Sequence, residues 1–324
     1  MSPPKAAREC VRRRKKFGAS VPRMSGGKHA RAHRAVVGLL CLAGCAMGER
    51  TPQTKQPIGR DSGAENADLT ERVDVGGYSL AIACTGVGRP TVVMETGFDD
   101  SAASWSDQLI LGIAGVSRVC VYDRAGLGLS SHRPDRTDSG KVTADLHALL
   151  RGANVRPPFV FVGHSLGGMH VRVYTHAYPD EVAALVLIDS SHPAQYVRAR
   201  ERLSARDWTW MEKSVEQAYR DPSKEPFDWE RSRQLALQAG NFGDLPLRVL
   251  SHDPTIESEC NGDDCLTAEG HVVWEQLWQE LQVDLATLSS RSTHKISPQS
   301  GHYIQQTNPD LVLAAITDVV RAVR

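Results

Sequence analysis

The sequence predicts an α/β protein: a mostly parallel central sheet, flanked by helices on both faces, with an inserted helical cap. Three observations carry this reading. Short apolar runs rich in Val, Ile and Phe alternate with amphipathic helical stretches from residue 72 onward, as strands joined by crossover helices do. One of those runs, Phe159-Val160-Phe161-Val162, passes directly into Gly163-His164-Ser165-Leu166-Gly167-Gly168 and then into a helical pattern. The alternation then lapses over residues 194–243, which are polar and helix-like, and resumes at Leu247.

The chain has 324 residues and a formal net charge of zero, but the charge is unevenly spread. Residues 1–44 hold eleven Lys or Arg and one acid, Glu9, which leaves 27 basic and 37 acidic residues beyond them. The remainder is near −10, a poor surface for nucleic acid. The basic start leads into Ala35-Val36-Val37-Gly38-Leu39-Leu40-Cys41-Leu42-Ala43-Gly44 and then Cys45. A basic region, a short apolar core and small residues before a break form an export signal. The apolar run is too short to span a membrane. Leu42-Ala43-Gly44-Cys45 resembles a bacterial lipobox, which implies lipidation of Cys45 and a membrane anchor there; a plain cleaved signal is the alternative. Met24 is a second candidate start. Arg13-Arg14 lies too far from the apolar core for a twin-arginine signal. Residues 1–45 are thus expected to be the signal segment, 46–68 a flexible tether, and 69–324 the folded domain.

In order, the folded part reads as follows. Arg72–Val75 and Tyr78–Cys84 form a hairpin around Gly76-Gly77. Thr91–Glu95 is a strand, Trp105–Gly115 a helix and Ser117–Tyr122 a strand ended by Asp123-Arg124-Ala125-Gly126. Val142–Leu150 is helical by its apolar spacing. Phe159–Val162 is a strand and Met169–Tyr178 the helix after it. Leu185–Ile188 is a strand that stops at Asp189. The cap, with Trp208, Trp210, Trp229 and Phe242 interspersed, occupies about 194–243. Leu247–Leu250 is a strand, Val272–Leu288 a long amphipathic helix and Thr293–Ile296 the last strand. The loop Ser297–His302 leads to a helix from Pro309 to Arg324, with proline at its first position.

Four of the seven cysteines fall beyond the signal segment and Cys45: Cys84, Cys120, Cys260 and Cys265. An even number in an exported chain is consistent with disulfides. Cys260 and Cys265 bracket a turn-like loop and could pair, whereas Cys84 and Cys120 lie in separate strands and either pair or pack in the core. A zinc site is the rival for Cys260/Cys265, but no second Cys/His pair has matching spacing.

A strand, a sharp Gly-x-Ser-x-Gly turn and a helix make a nucleophile elbow. Ser165 would be the nucleophile, with the helix N-terminus stabilising negative charge beside it. A serine hydroxyl needs a base to take its proton. His302 sits on the loop between the last strand and last helix, which such a fold brings to the carboxyl edge of the sheet, and imidazole has a suitable pKa. His164 adjoins the nucleophile but is expected to point away from it. His132, His147 and His176 are expected to face solvent.

Together Tyr122-Asp123-Arg124-Ala125-Gly126-Leu127-Gly128-Leu129-Ser130, Gly163–Gly168, Leu185–Asp189 and Ser300-Gly301-His302 resemble the α/β-hydrolases, specifically bacterial serine hydrolases. The motifs fall in that family's order and cover roughly residues 72–324. The resemblance implies the α/β-hydrolase fold and an esterase or lipase-like serine hydrolase with a Ser-Asp-His triad. It implies a carboxylic ester of small size as substrate, no metal and no organic cofactor. The family most often places the acid after the strand that is here Leu247–Leu250, where Asp253 is a displaced match; other members use the end of the preceding core strand, here Asp189. The reading favours Asp189 over Asp253, with Glu257, Asp263 and Asp264 behind. The oxyanion donors implied are the backbone N–H groups of Leu166 and Phe98, the latter after Thr96-Gly97 where the family has His-Gly. Asp123 and Arg124 are expected to hold the loop beside the site. The cap tryptophans either line an acyl pocket or merely pack the cap. Epoxide hydrolases and haloalkane dehalogenases share the fold but need Asp at the elbow, so Ser165 disfavours them. The alternatives are an amidase or peptidase of this fold, a perhydrolase side activity, or a non-catalytic binding lipoprotein.

Overall fold

A computed structural model describes residues 68–221, 223–256 and 265–324. The signal segment, Cys45 and the tether up to residue 67 lie outside the described residues, as do Glu257, Cys260, Asp263 and Asp264. Among the described residues, eight strands form one sheet in the order β1-β2-β4-β3-β5-β6-β7-β8. They are β1 (Leu69–Asp74), β2 (Ser79–Thr85), β3 (Thr91–Glu95), β4 (Val119–Tyr122), β5 (Phe159–His164), β6 (Val182–Ile188), β7 (Leu247–Ser251) and β8 (Ser292–Ile296). The first hairpin makes antiparallel pairs, β1 with β2 and β2 with β4. All later pairs are parallel. Every parallel strand therefore ends at one carboxyl edge, where crossover loops gather ligand-facing residues. Leu69 opposes Cys84 and Cys84 opposes Cys120 near the start of β4, so β1 enters at the opposite, amino edge.

The helices are α1 (Asp107–Ala114), α2 (Ser139–Gly152), α3 (Leu166–Ala177), α4 (Gln195–Arg202), α5 (Ala205–Arg220), α6 (Trp229–Gln238), α7 (Ala268–Ala286), α8 (Ile304–Thr307) and α9 (Pro309–Ala322). Two positions differ in kind from the sequence reading. Helix α3 begins at Leu166, directly after Ser165, three residues earlier than periodicity suggests. A short extra helix, α8, follows His302.

β5 shows how the sheet is held. Phe159 and Phe161 pack on one face, with Leu146 and Leu149 of α2 and Val171 and Tyr174 of α3. Val160 and Val162 pack on the other, with Leu109 and Ile113 of α1 and Val312 and Ile316 of α9. Both faces are covered, so β5 reads as a continuous apolar run rather than an alternation. The cap is helical: α4, α5 and α7 share an apolar cluster of Ala199, Leu203, Met211, Leu277 and Leu281, with Trp208 and Trp210 packed against it. Phe242 packs on the main core instead of the cap. A disulfide joins Cys84 to Cys120 across β2 and β4, and Cys265 is also disulfide-bonded. Among the described residues no cluster of His, Cys, Asp and Glu could hold a metal ion.

Candidate active site

The elbow is built by close backbone approach. Ser165 has φ 52° and ψ −122° between β5 and α3, a strained region for a residue with a Cβ. Two glycines make room for it. A Cβ on Gly163 would lie 2.7 Å from the carbonyl oxygen of Gly167, and one on Gly167 would lie 2.5 Å from the carbonyl oxygens of Glu95 and Thr96. The turn is stitched to the end of β6: the Ser165 N–H donates to the Ile188 carbonyl at 3.0 Å, and the Ser165 carbonyl accepts from the Ser191 N–H at 2.9 Å. Register pairs His164 with Ile188, so Ser165 and Asp189 leave neighbouring strands side by side.

Asp189 is fully buried and, like Ser165, has positive φ, 42°. Its carboxylate is the hub of the site. Nδ1 of His302 lies 2.6 Å from Oδ2. The indole Nε1–H of Trp278 donates to Oδ1 at 2.9 Å. The backbone N–H of His252 donates to Oδ1 at 3.1 Å, and its ring Nδ1 lies 3.0 and 2.9 Å from Oδ1 and Oδ2. Burial alone would raise the Asp189 pKa; the hydrogen bonds from His252 and His302 and their charges overcome it and hold the carboxyl well below its usual range. A carboxylate on Nδ1 makes that nitrogen the donor and leaves Nε2 of His302 as the acceptor, which is the tautomer a base for Ser165 needs.

Asp253 does not reach either histidine ring. Its Oδ1 accepts from the Thr255 N–H at 3.0 Å and the Thr255 hydroxyl at 2.7 Å, and its Oδ2 from the Gln299 N–H at 2.9 Å. Its own N–H donates to the Ser300 carbonyl at 2.9 Å. Asp253 therefore braces the loop that carries His302.

The His164 ring packs 4.7 Å from the His302 ring, centre to centre. Its Nε2 lies 3.0 Å from the His302 carbonyl oxygen. Burial, reinforced by the charge of His302, pushes its pKa down to about 3, so it is a neutral N–H donor that fixes the His302 backbone. His147 is not a solvent-facing residue: it stacks on Tyr178 with centroids 3.9 Å apart and contacts Glu181 at 3.2 Å. His132 and His176 are exposed.

The loop after β3 passes beside the nucleophile, since a Cβ on Gly97 would lie 3.2 Å from that of Ser165. Arg124 aims this loop. Its guanidinium donates to the carbonyls of Thr96 at 2.9 Å and Gly97 at 2.6 Å. In a trans peptide the N–H points opposite to the C=O. Anchoring the Gly97 carbonyl on Arg124 thus turns the Phe98 N–H away from the guanidinium. Leu166 is the first residue of α3, so its N–H has no intrahelical acceptor. Arg124 is itself fixed by Glu95 at 2.6 Å and by Glu225 of the cap at 2.7 Å, and Tyr122 hydrogen-bonds Glu95. Asp99 adds a second latch to the cap through the Glu225 N–H at 3.0 Å and Lys224 at 2.9 Å. On the same side Leu166, Met169, Val173, Phe227 and Ala236 form an apolar cluster with Phe98, Tyr219 and Trp229 against it. Of the three cap tryptophans, only Trp229 joins this wall.

Sequence reasoning overlooked His252, Trp278 and Glu275. His252 was passed over in favour of its neighbour Asp253. Glu275, Trp278, Gln279 and Gln282 share one helix face by their three- and four-residue spacing, and that face meets the site: Gln279 binds the His252 carbonyl at 3.1 Å and Gln282 the Ser190 carbonyl at 2.8 Å.

A family profile described as alpha/beta hydrolase fold matches residues 90–259. An uncharacterized protein of Bacillus subtilis, YqjL, is 26% identical over 231 residues, covering 71% of this chain and 83% of that one. A bifunctional esterase/perhydrolase of Acinetobacter calcoaceticus is 33% identical over 105 residues, 32% of this chain and 38% of its own length. The chain spans only 17% of an uncharacterized vacuolar membrane protein of Saccharomyces cerevisiae that it also matches. Among solved structures, the alpha/beta hydrolase domain-containing protein 10 from mouse superposes with a TM-score of 0.57 at 16% identity, covering 79% of this chain and all of the other.

Proposed function

The chain belongs to the alpha/beta hydrolase fold family, and from that premise we propose that it is a serine hydrolase cleaving a carboxylic ester through an acyl-enzyme. The observation that carries this reading is the 2.6 Å contact between His302 Nδ1 and the buried carboxylate of Asp189, beside a serine held at φ 52°. In the proposed reaction Ser165 Oγ bonds to the ester carbonyl carbon while His302 Nε2 takes its proton. The carbonyl electron pair moves to oxygen, where the N–H groups of Phe98 and Leu166 receive the charge. The intermediate collapses, the C–O bond to the alcohol breaks, and His302 returns the proton to the departing oxygen. Water then repeats the sequence on the acyl-enzyme and frees the acid. Each oxyanion donor is worth on the order of 10²–10³ in rate. Met169, Val173, Phe227 and Trp229 pack in one apolar cluster with Phe98 and Leu166, the two residues assigned as oxyanion donors. The esterase/perhydrolase activity named for the Acinetobacter relative agrees with this chemistry, and no step requires a cofactor.

Ser165→Ala in the full chain tests the reading. Labelling by a fluorophosphonate and turnover of a p-nitrophenyl ester series should both disappear in the variant. Labelling without ester turnover would favour an amidase. No labelling of folded protein would favour the binding lipoprotein.

The Cys84–Cys120 bridge is of the kind that persists in oxidising compartments. It supports export, and with Leu42-Ala43-Gly44-Cys45 it supports a lipid anchor at Cys45. Among the described residues no helix is long and apolar enough to cross a membrane.

A further inference from the structure

We propose that His252 and Glu275 are positioning residues that set the pH at which His302 becomes a base, with His252 held as a cation against the carboxylate that orients His302. The proposal rests on the serine hydrolase reading and deepens it. Its warrant is geometric. Nδ1 of His252 faces both oxygens of Asp189, at 3.0 and 2.9 Å, while Nε2 lies 2.6 Å from Oε2 of Glu275. An ionised carboxylate only accepts hydrogen bonds, so a ring between two of them must donate from both nitrogens, which only imidazolium can do. Burial works against that charge, but the bonds to Asp189 and Glu275 prevail and raise His252 to about 10.

The surroundings contain the following charges. Asp189 faces His252 from the end of β6, and Glu275 and Trp278 face it from α7. His302 meets it across the shared carboxylate. Asp253, next in the chain, is committed to Thr255 and Gln299. His294 on β8 is bonded to the Ser251 hydroxyl at 2.9 Å, and burial lowers its pKa. His302 faces, in addition, neutral His164, the Tyr303 ring, and Asp100, which feels its charge. Among the described residues, the cation that shares Asp189 with His302 is His252.

With His252 charged, Asp189, Glu275 and His252 present one net negative charge to His302. A neutral residue at 252 leaves two. Protonated His302 is then favoured, its pKa rises, and its base form is lost at a higher pH. Removing Glu275 as well restores the single charge. A merely structural role for His252 makes the opposite forecast, because the double variant then loses two contacts rather than one.

The test compares kcat/KM against pH for a p-nitrophenyl ester in the full chain, in His252→Gln, and in His252→Gln/Glu275→Gln. The acid limb of that profile reports the base of the free enzyme. The single variant should move the limb upward by about one pH unit, and the double variant should bring it back. A limb that stays in place in His252→Gln, or one displaced as far in the double variant as in the single, overturns the proposal. Ring ¹⁵N NMR of the unsubstituted protein supplies a readout that needs neither folded variants nor turnover. His252 should carry protons on both nitrogens at neutral pH and release one only toward about pH 10; a neutral ring at neutral pH overturns the proposal. Loss of the hydrolase reading would instead appear as turnover or labelling indifferent to Ser165→Ala.

Discussion

Asp189 and Asp253 both follow adjacent strands, but they differ in backbone, burial and partners. Asp189, at φ 42°, is the fully buried hub that His302, His252 and Trp278 share. Asp253 lies two residues past β7 and spends its oxygens on Thr255 in its own loop and on Gln299 in the loop that carries His302. Asp189→Asn should reduce kcat on the order of 10⁴-fold, because the amide stabilises the wrong imidazole tautomer. Asp253→Asn should stay within about tenfold of the parent and lower stability only slightly, because the loop bonds it weakens are exposed to solvent. Paired steady-state kinetics and thermal melts check both, and the reverse ranking would move the acid role. Ser165 was legible because a glycine-flanked elbow is a local pattern. The partner at Asp189 was less so: the register that sets Ile188 beside Leu250 brings two strand ends together, and nothing local says which acid turns inward. His252 was illegible for a stronger reason, since its charge depends on two carboxylates brought in from elsewhere in the chain, Asp189 at the end of β6 and Glu275 on α7.

Among the elements, the first hairpin and the crossover units were visible from spacing alone. The sheet order was not, because pairing β2 with β4 and β3 with β5 is decided by long-range packing. The Cys84–Cys120 bridge follows from that pairing, as the two residues are register partners. It ties the antiparallel edge to the parallel body of the sheet. Replacing both cysteines by serine should destabilise the domain by roughly 2–4 kcal/mol, a fall in Tm of about 5–15 °C. Differential scanning calorimetry of the full chain against the double serine variant decides it, and coincident melts would show that the bridge contributes nothing. The cap was legible as an interruption of the strand–helix rhythm. Its latch was not, for Arg124 meets Glu225 across 101 residues. That ion pair joins the cap to the same guanidinium that aims the Gly97–Phe98 peptide, so the cap and the loop after β3 are held by one side chain.

At the scale of the whole molecule, the proposed anchor makes a prediction about partition. The full chain should sediment with membranes when expressed with its own leader in a bacterial host. Cys45→Ser should move it to the soluble fraction, and unchanged fractionation would remove the lipid anchor from the account. Sequence alone supplied this expectation, and the fold adds a direction to it. Leu69 enters the sheet at the amino edge beside the Cys84–Cys120 pair, whereas Ser165, Asp189 and His302 gather at the carboxyl edge. A strand of six residues such as β5 puts roughly 20 Å between those edges.

A catalyst is easiest to use when its grip and its mouth are at opposite ends. Coupling the domain to a resin bead through the segment preceding Leu69 would use the amino edge of the sheet as the point of attachment and leave the carboxyl edge, with Ser165, on the far side of it.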